Sequence, residues 1–254
     1  MMEALAAVPA ELVLWVIPLV LAYLRLQAAV LVFPVLSERV LSVRLRTCIA
    51  MMLAPVALSV AGPADWSARI GLADFAVLAL RELLIGFLIA LPARIMASAL
   101  HVATSAIGAT ASLSQLIGTG TEAAPHPIGN LMHMAGLALL MAMGLPILLL
   151  DLLAQSYAAF PAGQLAIGGD QVGGMVGLVT RSFVVALALA APFILGGLLY
   201  QVLTGVVNRV MPALPVVFIG APAIIMLALV GLALLAPAVL SGWAQAVFAH
   251  AMPG

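Results

Sequence analysis

The chain has 254 residues, 66% of them hydrophobic and only 7% charged, with a mean hydropathy of +1.30. Soluble domains carry roughly 25% charged residues, so this composition places the chain in a membrane. Its nine basic residues, all arginine, balance nine acidic ones and leave no basic stripe for nucleic acid, while the single Cys48 excludes an intrachain disulfide.

The N-terminus carries Glu3 and Glu11 and no basic residue, unlike the positive start of a cleavable signal, so the first apolar run is expected to be retained. That run, Leu12 to Leu36, is long enough to cross a bilayer and is interrupted by Pro18, Arg25 and Pro34. Ser37 to Arg46 follows with Arg39, Arg44 and Arg46, which makes this short loop cytoplasmic by the positive-inside rule. A second run from about Val43 to Ala61 closes at Gly62-Pro63-Ala64-Asp65, with Trp66 at the interface.

The third run, Leu72 to Ala93, contains Asp74, Arg81 and Glu82. Charges at membrane depth are costly and seldom face lipid. Arg81 and Glu82 point about 100° apart on a helix, so they cannot simply pair with each other, and at least one needs a partner on another helix or subunit. Ile128 to Tyr157 is longer than a hydrocarbon core and holds Pro146 and Asp151, so it is expected to be tilted or broken. Phe160 to Gly174 is a Gly-rich connector, Met175 to Val207 a long run with Arg181 and Pro192, and Asn208 to Pro212 a polar turn. Val216 to Leu240, with Pro222 and Pro237, is the last run before a weakly amphipathic tail, Ser241 to Gly254. Sixteen prolines argue for Pro-kinked helices rather than straight spans in an all-α integral membrane protein.

Between the third and fourth runs, Ala103 to His126 differs from its surroundings. Thr104, Ser105, Thr110, Ser112, Ser114, Gln115, Thr119 and Thr121 alternate there with Gly108, Gly118 and Gly120. Irregular polar backbone is tolerated in a bilayer only when buried in protein, lining water or lying outside the lipid. The stretch has one charge, Glu122, and threads Ile107, Leu113, Leu116 and Ile117 among its small polar residues. Physics alone leaves an ordinary extramembrane loop and a buried, re-entrant pore element evenly matched.

Catalytic and metal chemistry lack their anchors. His126 and His133 lie on a shared helical spacing, but Pro127 and Gly129 interrupt it and a metal needs three or four ligands. No H-E-x-x-H or G-x-S-x-G occurs. No metal, cofactor or catalytic set is therefore expected. Met132, Met134, Met141 and Met143 read as ordinary packing, and Gly86 with Ala90 offers the small-xxx-small spacing of a close helix contact.

Four stretches in order resemble the FliR family of flagellar and injectisome export-gate proteins. They are Arg25 with Phe33-Pro34-Val35-Leu36-Ser37-Glu38-Arg39, then Glu82-Leu83-Leu84-Ile85-Gly86-Phe87, then Ala159-Phe160-Pro161-Ala162-Gly163, and last Asn208-Arg209-x-x-Pro212-x-Leu214-x-Val216 leading to Gly220-x-Pro222. Ala213 and Pro215 depart from the family pattern, and the opening polar stretch matches it only loosely. The resemblance implies one membrane-embedded export-gate domain over 1–254, with a FliP-like front half to about 160 and a FliQ-like back half from about 161. It implies a non-enzymatic subunit of the bacterial inner membrane, at the flagellar basal body. There it assembles with FliP-like and FliQ-like subunits and an FlhB-like protein, for export of unfolded proteins.

On this resemblance the channel plug is expected at Gly108, Ser112, Ser114, Gln115, Gly118 and Gly120. Contacts between helices or subunits are expected at Arg25, Pro34, Arg81, Glu82, Gly86, Asn208, Arg209, Pro212, Gly220 and Pro222. An injectisome gate subunit is the alternative, and a secondary transporter with its site at the broken segment is the reading from another class.

Overall fold

A computed structural model describes residues 10–39, 41–61, 72–111, 127–163, 169–211 and 216–251. All regular structure among them is α-helical: α1 Ala10–Val32, α2 Val43–Ala61, α3 Leu72–Ala111, α4 Pro127–Ala142, α5 Leu145–Ala159, α6 Gly169–Val210 and α7 Val216–Ala251. Five are long and apolar enough to cross a membrane, or up to six spans if the bent α4–α5 pair counts as one. The chain is an all-α integral membrane protein, as its composition requires: in lipid only a helix satisfies its own backbone within one segment.

Proline lies inside several of these helices without ending them. Pro18, Pro55, Pro92 and Pro192 lie inside α1, α2, α3 and α6, each of which continues through its proline. The sharp bend described is at Gly144, which has φ 94° and separates α4 from α5 by 61°. Glycine adopts that left-handed conformation without a Cβ clash, and Pro146 in the first turn of α5 lacks only a donor that would be orphaned there anyway.

Three helices correct the boundaries of the sequence reading. Helix α3 does not stop near Ala93 but continues through Arg94 to Ala111, so the first nine residues of the polar stretch are helical. Their hydroxyls explain this, since Thr104 and Ser105 both donate back to the His101 carbonyl, at 3.0 and 2.8 Å. Small polar residues satisfied within their own helix need no loop. Helix α6 begins at Gly169, inside the expected Gly-rich connector, and extends through Asn208 and Arg209 to Val210. Helix α7 absorbs the expected tail as far as Ala251.

The chain forms two compact units. The first comprises Met1–Arg94, Gly144–Met175 and Ala251–Gly254. Here α1 packs against α2, and α2 against α5. Leu21, Leu26 and Phe33 of α1 and its following turn are fully buried, as are Ile85 of α3 and Leu145, Leu148 and Leu152 of α5. The loop after α1 is tied down by Arg94, which donates to Ser37 at 2.6 Å and pairs with Glu38 at 3.5 Å, while Arg46 donates to the Glu38 carbonyl. Ser42 then caps α2 through the Leu45 amide.

The second unit comprises Ile95–Met143 and Val176–His250. Its α3 and α4 segments run antiparallel. A Cβ on Gly129 would lie 2.8 Å from the Thr104 carbonyl, and one on Gly136 would strike Leu100 and come within 3.1 Å of the Trp243 ring. Between these contacts the His101 and His133 rings meet edge to face at 5.5 Å. Trp243 of α7 is buried against this seam and donates its indole N–H to the Met96 carbonyl at 3.1 Å.

Candidate functional site

The most concentrated polar chemistry in the described chain lies in the first unit, around Arg25. The residue sits mid-way along an apolar helix and is completely buried, as is Glu82 of α3. A guanidinium cannot lose its proton at any relevant pH, so it must be met by acceptors on all sides. Its Nε donates to Glu82 Oε2 at 2.6 Å and Nη2 to Oε1 at 3.1 Å, a two-point fork that fixes the direction as well as the distance of the pair. Nη1 donates to the Ser156 hydroxyl at 3.2 Å, and Nη2 also donates to the Phe160 carbonyl at 3.1 Å. The flat cation rests on the Tyr157 ring, 3.9 Å from its centroid.

Glu82 completes the network. Its Oε1 accepts the Gly163 amide at 2.8 Å, and the neighbouring Arg81 donates to the Gly163 carbonyl at 2.9 Å. The two residues whose adjacency forbids a mutual pair therefore hold opposite ends of one glycine. Gly163 has φ 78°, a conformation that favours glycine, and lies in the turn that leaves α5. One helical turn beyond Glu82, Gly86 lets α3 approach α1 closely: a Cβ there would fall on the Arg25 backbone carbonyl. The small residue thus sets the spacing at which the fork closes.

The result is a knot tying α1, α3, α5 and the following turn by charge. Glu82 is met inside the chain by Arg25 and the Gly163 amide, while the exposed Arg81 reaches the Gly163 carbonyl. Ser156 and Tyr157 are partners that the sequence did not single out, whereas Phe160 and Gly163 belong to a stretch that it did. A serine beside a tyrosine within an apolar helix was the available signal, because hydroxyls placed there need partners.

The other expected site residues disperse. Pro34 is buried at the end of α1, just before Val35, a β-branched residue at φ 66°. Asn208 and Arg209 are exposed in the last turn of α6. Gly108 lies within helix α3, and Gly220 and Pro222 within α7. Ser112, Ser114, Gln115, Gly118, Gly120 and Pro212 lie outside the described residues. Among the described residues no three His, Cys, Asp or Glu side chains gather in a form that could hold a metal.

Comparison with known proteins gives two matches. The family described as bacterial export proteins, family 1, matches residues 16–250. The flagellar biosynthetic protein FliR of Caulobacter vibrioides is 30% identical over 222 residues, which cover 85% of this chain and 86% of that protein.

Proposed function

The chain belongs to family 1 of the bacterial export proteins, and we propose that, as a membrane-embedded component of flagellar protein export, it is a non-enzymatic gate subunit contributing to the channel and its plug. The observation that carries this reading is helix length. The apolar windows of α3 and α6 run for 35 and 38 residues. At 1.5 Å per residue these are about 52 and 57 Å long, against a hydrocarbon core of about 30 Å. Tilt alone does not hide such an excess, and in this reading neighbouring subunits cover part of it. A subunit of a helical assembly has those neighbours, whereas a solitary transporter does not.

In this reading FliP-like and FliQ-like subunits supply the cover, an FlhB-like protein docks on the cytoplasmic side, and unfolded proteins pass through the assembled channel. The antiparallel α3–α4 pair, seated at Gly129 and Gly136, holds the first nine residues of the polar stretch at the end of α3, and the rest lies in sequence between its helices. Small polar residues and glycines there suit a deformable plug, since they pack closely without binding any one substrate tightly.

Deleting Ala111 to Gly118 is expected to raise ion leak through the assembled gate while leaving its composition unchanged. An intact assembly with unaltered leak removes the plug assignment. The gate-subunit reading itself is tested by affinity purification of the tagged chain from cells expressing the export genes: other gate subunits should copurify. Solute transport by the chain alone in vesicles would instead favour the transporter.

A further inference from the structure

We propose that Asp151 marks a docking face for a membrane helix of another subunit carrying an arginine or lysine. The inference rests on the assembly reading above and gives one of its interfaces a chemistry.

Most acidic residues of the described helices lie where water or helix ends accommodate them. Glu11, Asp74 and Asp170 are each within the first three residues of their helices, where exposed backbone amides favour negative charge. Glu82 lies deep in α3 and is fully paired with Arg25. Asp151 differs from all of these. It sits in the middle of α5, whose sequence around it reads Leu-Leu-Leu-Asp-Leu-Leu, and its side chain is exposed. No hydrogen bond or ion pair reaches it among the described residues.

The face it occupies is well defined. Leu148, Leu149, Leu152, Leu153, Ser156 and Tyr157 are buried within the unit, whereas Ile147, Leu150, Asp151, Gln155 and Ala158 point outward. Ile147, Asp151 and Gln155 follow one another at one-turn spacing and form a single stripe. Asp151 is seven residues from the Gly144 break and eight from the helix end at Ala159, so about 10 to 12 Å of helix separates it from either terminus. Arg181, also exposed on an apolar helix, has a long stem that can carry its charge to the interface. The aspartate side chain has no such reach. A carboxylate held there against hydrocarbon is costly, and in such settings carboxylates pair with cations on neighbouring helices. Charge complementarity therefore specifies the occupant: an apolar helix presenting Arg or Lys at the depth of Asp151.

The test uses the complete gate, purified by a tag on this chain from cells expressing the export genes. A photocrosslinking amino acid at Ile147 should capture a partner segment containing Arg or Lys within one helical turn of the crosslink. Asp151→Lys should lower the recovery of that partner by about tenfold through like-charge opposition, and an acidic residue at the captured cation should restore it. Asp151→Asn should give an intermediate loss. Capture of a segment without a cation, capture of lipid alone, or full recovery with Asp151→Lys overturns the proposal. So does aqueous labelling of Asp151→Cys, made with Cys48→Ala, in the assembled gate, because the residue would then line water. Arg25→Ala serves as the reference for damage to the chain itself. If gate subunits copurify but ignore Asp151, only this inference fails; if none copurifies with the unaltered chain, the gate reading fails.

Discussion

The two units hold their helices together by opposite means. In the first, a buried arginine and glutamate lock α1 to α3 and reach on to α5 and Gly163 through directed hydrogen bonds. In the second, α3 and α4 close on glycines, and α7 adds a tryptophan with one hydrogen bond. Hydrophobicity does not discriminate one apolar helix from another inside a membrane, so specificity must come from polar pairs or from shape. The first unit uses charge and is intolerant of losing either partner. The second uses shape, and its tolerance depends on what each glycine faces.

The largest effect is expected where the comparison is sharpest. Glu82→Ala leaves Arg25 buried with its charge uncompensated and frees the Gly163 amide, a change that costs about 3 to 5 kcal/mol in comparable buried pairs. The variant should accumulate poorly and unfold at markedly lower temperature in detergent. Arg25→Ala with Glu82→Ala should cost less than the sum of the single changes, because no buried charge is left unpaired. Strict additivity in thermal unfolding would show that the knot is not a coupled unit. Trp243→Phe in the second unit should cost only about 1 kcal/mol, since it keeps the ring and loses one neutral hydrogen bond.

Much of this organisation was legible in the sequence, and the exceptions have physical causes. The charges in apolar runs announced that partners existed, and the resemblance brought Arg25, Glu82, Gly86 and Phe160 to Gly163 into one pattern. Sequence could not show that Glu82 is met by Arg25 rather than by another subunit, because helix pairing is a tertiary fact. Polar content misled at Ala103 to Ala111, where side-chain hydroxyls bond to their own helix and leave it uninterrupted. Proline kinks are compatible with continuous helices: Pro18, Pro55, Pro92, Pro192, Pro222 and Pro237 all lie within helices that continue past them, where surrounding helices and local adjustments can compensate the missing donor. The break at Gly144 was expected somewhere in that run, and the Gly-Leu-Pro order locates it.

A pair of alanine substitutions tests whether glycine means the same thing in both units. An added methyl at Gly86 meets the Arg25 backbone carbonyl and, at 3.0 Å, the Ala28 Cβ. Backbone of a packed helix cannot turn aside, so Gly86→Ala must push α1 and α3 apart and lengthen the Arg25–Glu82 fork. Overpacking of this kind costs about 1 to 3 kcal/mol, more than the roughly 1 kcal/mol that alanine gains over glycine in a helix. At Gly136 the nearest obstacle is the end of the Leu100 side chain, which can change rotamer, and the Trp243 ring lies 3.1 Å away. There the same substitution should nearly cancel, with little change in unfolding temperature. Equal loss at the two positions would mean that the second unit is as rigidly specified as the first, and that shape constrains its helices as tightly as charge does in the first.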